Sequence, residues 1–170
     1  MSKFWAGVLV TIVAIAGGLY FYLSRGFANL SAEQQPSALE EKLATGAMDA
    51  STERHAPKVK NPISPIDANL ISGVKLYKSN CAVCHGSPLN PSADVGQALY
   101  PRAPQFLKDV PDMPENQNFY IIKHGVRWTG MPAWGKIMTD SEIWEVALFL
   151  SRMEKLPSAV EAEWKKPMTP

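Results

Sequence analysis

The chain has 170 residues, with 17 Lys plus Arg against 16 Asp plus Glu and a formal net charge of +1. A balance this close to neutral argues against a nucleic-acid partner or a strongly polarised surface, and the length suits one small globular domain with substantial flanking segments. The only two cysteines stand three positions apart, so cysteine usage gives no disulfide-based indication of compartment.

The first element is apolar. Phe4 to Leu23 (FWAGVLVTIVAIAGGLYFYL) runs for about twenty residues without a charge, long enough to cross a bilayer as a helix. Lys3 precedes it and Arg25 follows it. Trp5 at one end and Tyr20 and Tyr22 at the other suit the two membrane–water interfaces. A cleaved secretory signal is the competing reading. The apolar run is longer than a usual signal core, however, and no Ala-x-Ala follows; Ser24 and Gly26 make a poor cleavage pair. A buried core helix fits this length and position badly. Residues 1–25 are therefore expected to be a retained transmembrane anchor, which the flanking charges orient only weakly.

Residues 26–66 read as a linker. Gln34, Gln35, Pro36, Pro57, Pro62 and Pro65 punctuate a polar tract rich in Ala and Ser. Leu39 and Leu43 lie four apart in a stretch able to form one short helix, marginal unless it docks on something. The run from Ala56 to Pro65 reads as an extended tether. Such a tether either gives a following domain reach or packs along a partner subunit, and both readings stay open.

The compact domain is expected over residues 67–157. Asp67 is its expected helix N-cap. Leu70, Val74 and Tyr77 recur at helical spacing, and Gly73 on the same face predicts close approach by another helix. Cys81-Ala-Val-Cys84-His85 follows. Two thiols at this spacing can each add to a haem vinyl group, and the adjacent imidazole then lies under the iron. A zinc site would need four N or S ligands, and only His55 and His124 remain. A thioredoxin-like motif would call for a βαβ setting that is absent. Glu115 to His124 is expected to be a helix, with Phe119 and Ile122 inward and Gly125 as its stop. Thr139-Asp-Ser-Glu142 is a capping box ahead of an almost wholly apolar helix expected to end near Leu156, before Pro157. Residues 158–170 are read as a C-terminal tail. No alternating segment is long enough for a strand, so the fold class is all-α. A core of about ninety residues is marginal alone, and a buried porphyrin would supply much of the missing apolar interior.

The region from Asp67 to Pro157 resembles a class I c-type cytochrome domain, of the small membrane-anchored monohaem type found in bacterial respiratory chains. The matching residues occur in family order: Gly73 with Tyr77, Cys81 to Gly86, Pro101-Arg-Ala-Pro104, Ile122 to Gly125, Thr129-Gly-Met-Pro-Ala-Trp-Gly135 and the helix from Asp140 to Leu150. Ser87 to Leu99 departs from the family pattern in having fewer glycines. The resemblance implies a small class I cytochrome c fold around one covalent haem c, preceded by the transmembrane helix and tether. It implies His85 and Met131 as axial ligands, Cys81 and Cys84 as the attachment thiols, and Pro104 as the backbone acceptor for the proximal imidazole. Met113 and Met138 are fallback sulfur donors, and His124 is the nitrogen alternative. Arg102 is either a haem-propionate partner or a surface arginine. Trp134 is expected to cover the porphyrin edge, with its indole N–H able to donate to a propionate, rather than simply to pack; for Trp128 that role is not expected. Haem attachment outside the cytoplasm in this family implies that everything after residue 25 lies in the periplasm or an equivalent space, with the chain single-pass in the bacterial inner membrane.

An iron with both axial positions filled has no site for oxygen or substrate. The expected function is therefore one-electron transfer between respiratory redox partners, by a membrane-anchored carrier that is not itself an enzyme. The alternatives are a fixed electron-transfer subunit of a larger respiratory complex, and a haem enzyme or gas sensor, which would need Met131 off the iron.

Overall fold

The computed structural model describes residues 2–167, which divide into two compact units between Gln34 and Gln35. Among the described residues every regular element is helical, apart from an isolated bridge joining Ser87 and Asn90.

The first unit is built on α1 (Ser2–Ser24), 23 residues with no buried side chain. At 1.5 Å per residue it is about 35 Å long, enough for the roughly 30 Å hydrocarbon core of a bilayer. It ends in a left-handed glycine. Gly26 has φ 72°, its N–H donates to Leu23 O, and the Phe27 N–H donates to Tyr22 O, which satisfies two carbonyls of the last turn.

The second unit begins with α2 (Ala38–His55), where the sequence predicted linker with at most a short helix. Its 18 residues hold together because Ser37 Oγ accepts from the Glu40 N–H, Glu40 and Glu41 lie in the first turn, and Arg54 and His55 lie in the last. Its C-terminal end also docks: Thr52 and Ala56 are buried. The segment that follows is irregular but pinned, with Asn116 Nδ2 donating to Pro57 O and Asn61 Nδ2 to Trp144 O.

The core is formed by α3 (Asp67–Asn80), α6 (Glu115–His124), α7 (Asp140–Leu150) and α8 (Ser158–Lys165), with short α4 (Ala82–His85) and α5 (Asp94–Gln97) between. The N-cap of α3 is Ile66, without a side-chain bond, so Asp67 is the first helical residue and favours the helix dipole instead of capping it. Leu70, Val74 and Tyr77 are buried as expected. Gly73 lies against α7 so closely that a Cβ there would stand 2.3 Å from Glu145 O. The capping box of α7 is formed in full by Thr139 and Glu142. That helix stops at Leu150, short of Leu156, because Ser151 Oγ bonds Leu148 O and the next amides turn to Phe149 O and Leu150 O. On α6, Phe119 and Ile122 face the core, and Phe119 stacks on Trp144 at 4.1 Å.

The stretch expected only as a tail holds α8, which completes the core. Val160 and Trp164, four apart, are buried, and the Trp164 ring meets Tyr77 at 5.4 Å and Phe149 at 5.1 Å edge-on. Lys78 Nζ donates to Glu163 O and Lys166 O, tying the end of α8 to α3.

Candidate functional site

Cys81, Cys84 and His85 come off one turn of backbone where α3 gives way to α4. The Cys84 and His85 N–H groups both donate to Cys81 O, at 3.1 and 2.9 Å. Both thiols are free; Cys81 is buried and Cys84 half-buried. Burial, reinforced by Cys84, pushes the Cys81 thiol up to about 12. Gly86, at φ 84°, ends the turn, and its carbonyl accepts from Tyr77 Oη at 2.9 Å. A Cβ on Gly96 would lie 1.9 Å from Cys84 O, so only glycine lets α5 seat against the motif.

The imidazole of His85 is committed on one side. Nδ1 lies 2.9 Å from Pro104 O, an acceptor, so Nδ1 carries the proton and Nε2 keeps its lone pair. Burial lowers the pKa of the ring, against the opposing effect of that bond, and so favours the neutral, ligating form. Phe106 stacks on the ring at 4.4 Å with planes 7° apart, fixing its rotation.

Two supports were not foreseen from the residues. Phe106 is one. The other is Gln105, buried beside Pro104: its Oε1 accepts from the Ala93 N–H, and its Nε2 donates to Cys84 O and Ala103 O. A glutamine beside prolines carries no local signal, because two of its three partners, Ala93 and Cys84, lie well away in sequence. The only hint was the Pro-Arg-Ala-Pro run itself.

Met131 sits on a closed loop that continues from α6. Gly125, at φ 67°, stops the helix, and a Cβ there would stand 2.7 Å from Met131 O. Thr129 Oγ1 donates to Val126 O and accepts from the Met131 N–H, while the Val126 N–H donates to Met131 O. Two of these hydrogen bonds fix the methionine's backbone, and the third closes the loop around it. Its side chain packs half-buried against the same core cluster that includes Cys81 and Ala82. Trp134, in the single 3₁₀ turn Trp134–Lys136, packs against that cluster too. Trp128 is different: it is 88% exposed and adopts φ 60°.

Among the fallback donors, Met138 is core filling, Met113 is half-buried ahead of α6, and His124 is exposed at the end of α6. His55 is exposed and stacks on Tyr120. Arg102 is also exposed, and with the Gln35 amide turned so that its oxygen faces the guanidinium, Nε and Nη2 donate to that oxygen at 3.2 and 2.7 Å.

The donor set fits a covalently held haem. Two free thiols share one turn, the adjacent imidazole offers a lone pair on Nε2, and a half-buried thioether lies against the same cluster. Among the described residues no three His, Cys, Asp or Glu side chains converge to hold a metal ion by themselves. Residues 68–150 match the family model described as cytochrome c oxidase, cbb3-type, subunit III. No curated protein and no solved structure matches the chain.

Proposed function

We propose that this chain, whose residues 68–150 form a c-type cytochrome domain, is a one-electron carrier held at a bacterial respiratory membrane by its N-terminal helix. The domain binds haem c covalently and implies electron transfer with redox partners. When bound, the haem supplies an iron that alternates between ferrous and ferric states.

The chain's own residues hold and orient that group. Cys81 and Cys84 are its attachment thiols. His85 would offer Nε2 to the iron, with Pro104 O holding the opposite ring nitrogen and Phe106 bracing the ring. Met131 would offer its thioether from its hydrogen-bonded loop, and a thioether donor together with an imidazole would favour the reduced state. Trp134 keeps water from the edge of the site. The observation that carries this reading is the Nδ1–Pro104 bond at 2.9 Å, which leaves one imidazole nitrogen free beside two unpaired thiols.

A second reading, a fixed electron-transfer subunit of a larger membrane complex, is favoured by one finding: the matched family model is that of an oxidase subunit. Purification in mild detergent separates the two, since a fixed subunit keeps its partners at constant ratio.

Absorption spectroscopy of the purified full-length chain tests the carrier reading. It is expected to show covalent haem on a denaturing gel, a ferric Met-to-iron charge-transfer band at the red edge of the spectrum, and no CO binding at neutral pH. A chain without covalent haem overturns the reading. CO binding by the reduced protein points instead to a haem enzyme or gas sensor.

A further inference from the structure

Helix α2 meets the rest of its unit at its two ends. At the first, Tyr100 Oη donates to Glu40 Oε1, and the Arg102 guanidinium donates to the Gln35 amide oxygen, with that amide turned to face it, just ahead of the helix. At the second, Thr52 and Ala56 are buried, His55 stacks on Tyr120 at 6.2 Å, and Asn116 Nδ2 donates to Pro57 O. Between them the helix is solvated: Leu39 and Leu43 are 68% and 63% exposed, and Ala44 to Ala47 are exposed too. An element with so little burial is a poor contributor to the core. What it does have is span, since 18 residues of helix reach about 27 Å.

The two ends grip different segments. Tyr100 and Arg102 lead directly through Ala103, whose N–H is fixed on Gly96 O, to Pro104 and its bond to the His85 ring. Tyr120 and Asn116 belong to α6, which runs through Gly125 into the closed loop of Met131. One end of α2 therefore holds the imidazole-bearing side of the site, and the other holds the thioether-bearing side.

We propose that α2 is a clasp that fixes the separation of the two segments carrying the axial ligands, with Glu40 and Gln35 as positioning residues at its releasable end. The inference rests on the assignment of His85 and Met131 to the iron. A thioether leaves iron more readily than an imidazole, so the effect of opening the clasp falls on Met131. Its loop can recede only if the two segments part, and the surface hydrogen bonds of Gln35 and Glu40 oppose that parting.

The test uses the full-length holoprotein in detergent, with imidazole as the incoming ligand. Loss of the ferric Met-to-iron band is followed in wild type, in Glu40→Gln and in the double variant Gln35→Ala/Glu40→Ala. Glu40→Gln keeps an acceptor for Tyr100 and is expected to match wild type. The double variant is expected to exchange Met131 for imidazole about threefold to tenfold faster, with haem content unchanged. Equal exchange rates in all three proteins, with the band present in wild type, overturn the clasp alone. A wild type with covalent haem but no such band overturns the ligand assignment and the clasp together.

Discussion

A histidine ring has two nitrogens, and the use of one decides what the other can do. In His85 the Nδ1 proton is held by Pro104 O, while burial disfavours the charged ring. The residue is thereby set as a neutral donor through Nε2. Met131 is held differently, through its backbone, by Thr129 and Val126. Met131→Ala should therefore leave the thiol attachments and the His85 side intact while opening one axial position. The reduced variant is expected to bind CO close to one per haem, measured as a CO difference spectrum; failure to bind would show that another group fills that position. Of these residues, Cys81, Cys84, His85 and Met131 can be proposed from the chain itself, because local spacing and a short flanking motif single them out. Gln105 and Phe106 were not. Their partners, Ala93, Cys84 and the His85 ring, come together only after the chain has folded back on itself.

At the scale of elements, α3, α6 and the start of α7 were readable from apolar spacing, a terminal glycine and a capping box. Gly73 announced the α3–α7 approach because a helical glycine between Leu70 and Val74 has a packing reason. Two of the differences share a cause. Helices α2 and α8 lie in polar sequence, where one or two docking residues outweigh composition: Thr52 and Ala56 in the first, Val160 and Trp164 in the second. The overlong reading of α7 took the proline at 157 as the stop, whereas Ser151 ends the helix earlier through its own hydroxyl. Helix α8 lies beyond the matched residues 68–150, yet its indole packs against Tyr77 and Phe149. Trp164→Ala should cost about 3–5 kcal/mol, read as a lowered thermal midpoint of the holoprotein. An unshifted midpoint would mean that α8 is dispensable to the core.

On the scale of the whole molecule, α1 has the length and composition of a membrane span and buries nothing within its own unit. With residues 1–25 replaced by a cleavable export signal, the remaining chain is expected in the soluble fraction with an unaltered haem spectrum. Fractionation after a salt wash checks this, and persistence in the membrane pellet would favour a fixed subunit. The second unit also presents an oddity to its surroundings. Trp128 occupies a left-handed backbone conformation that a bulky residue adopts only at a cost of about 1–3 kcal/mol, and the hydrogen bonds that close the Met131 loop hold it there. Glycine or asparagine would sit at that corner with less strain. As built, the tip of the Met131 loop carries a large aromatic plane into water, so a molecule colliding with that corner touches indole before it touches backbone.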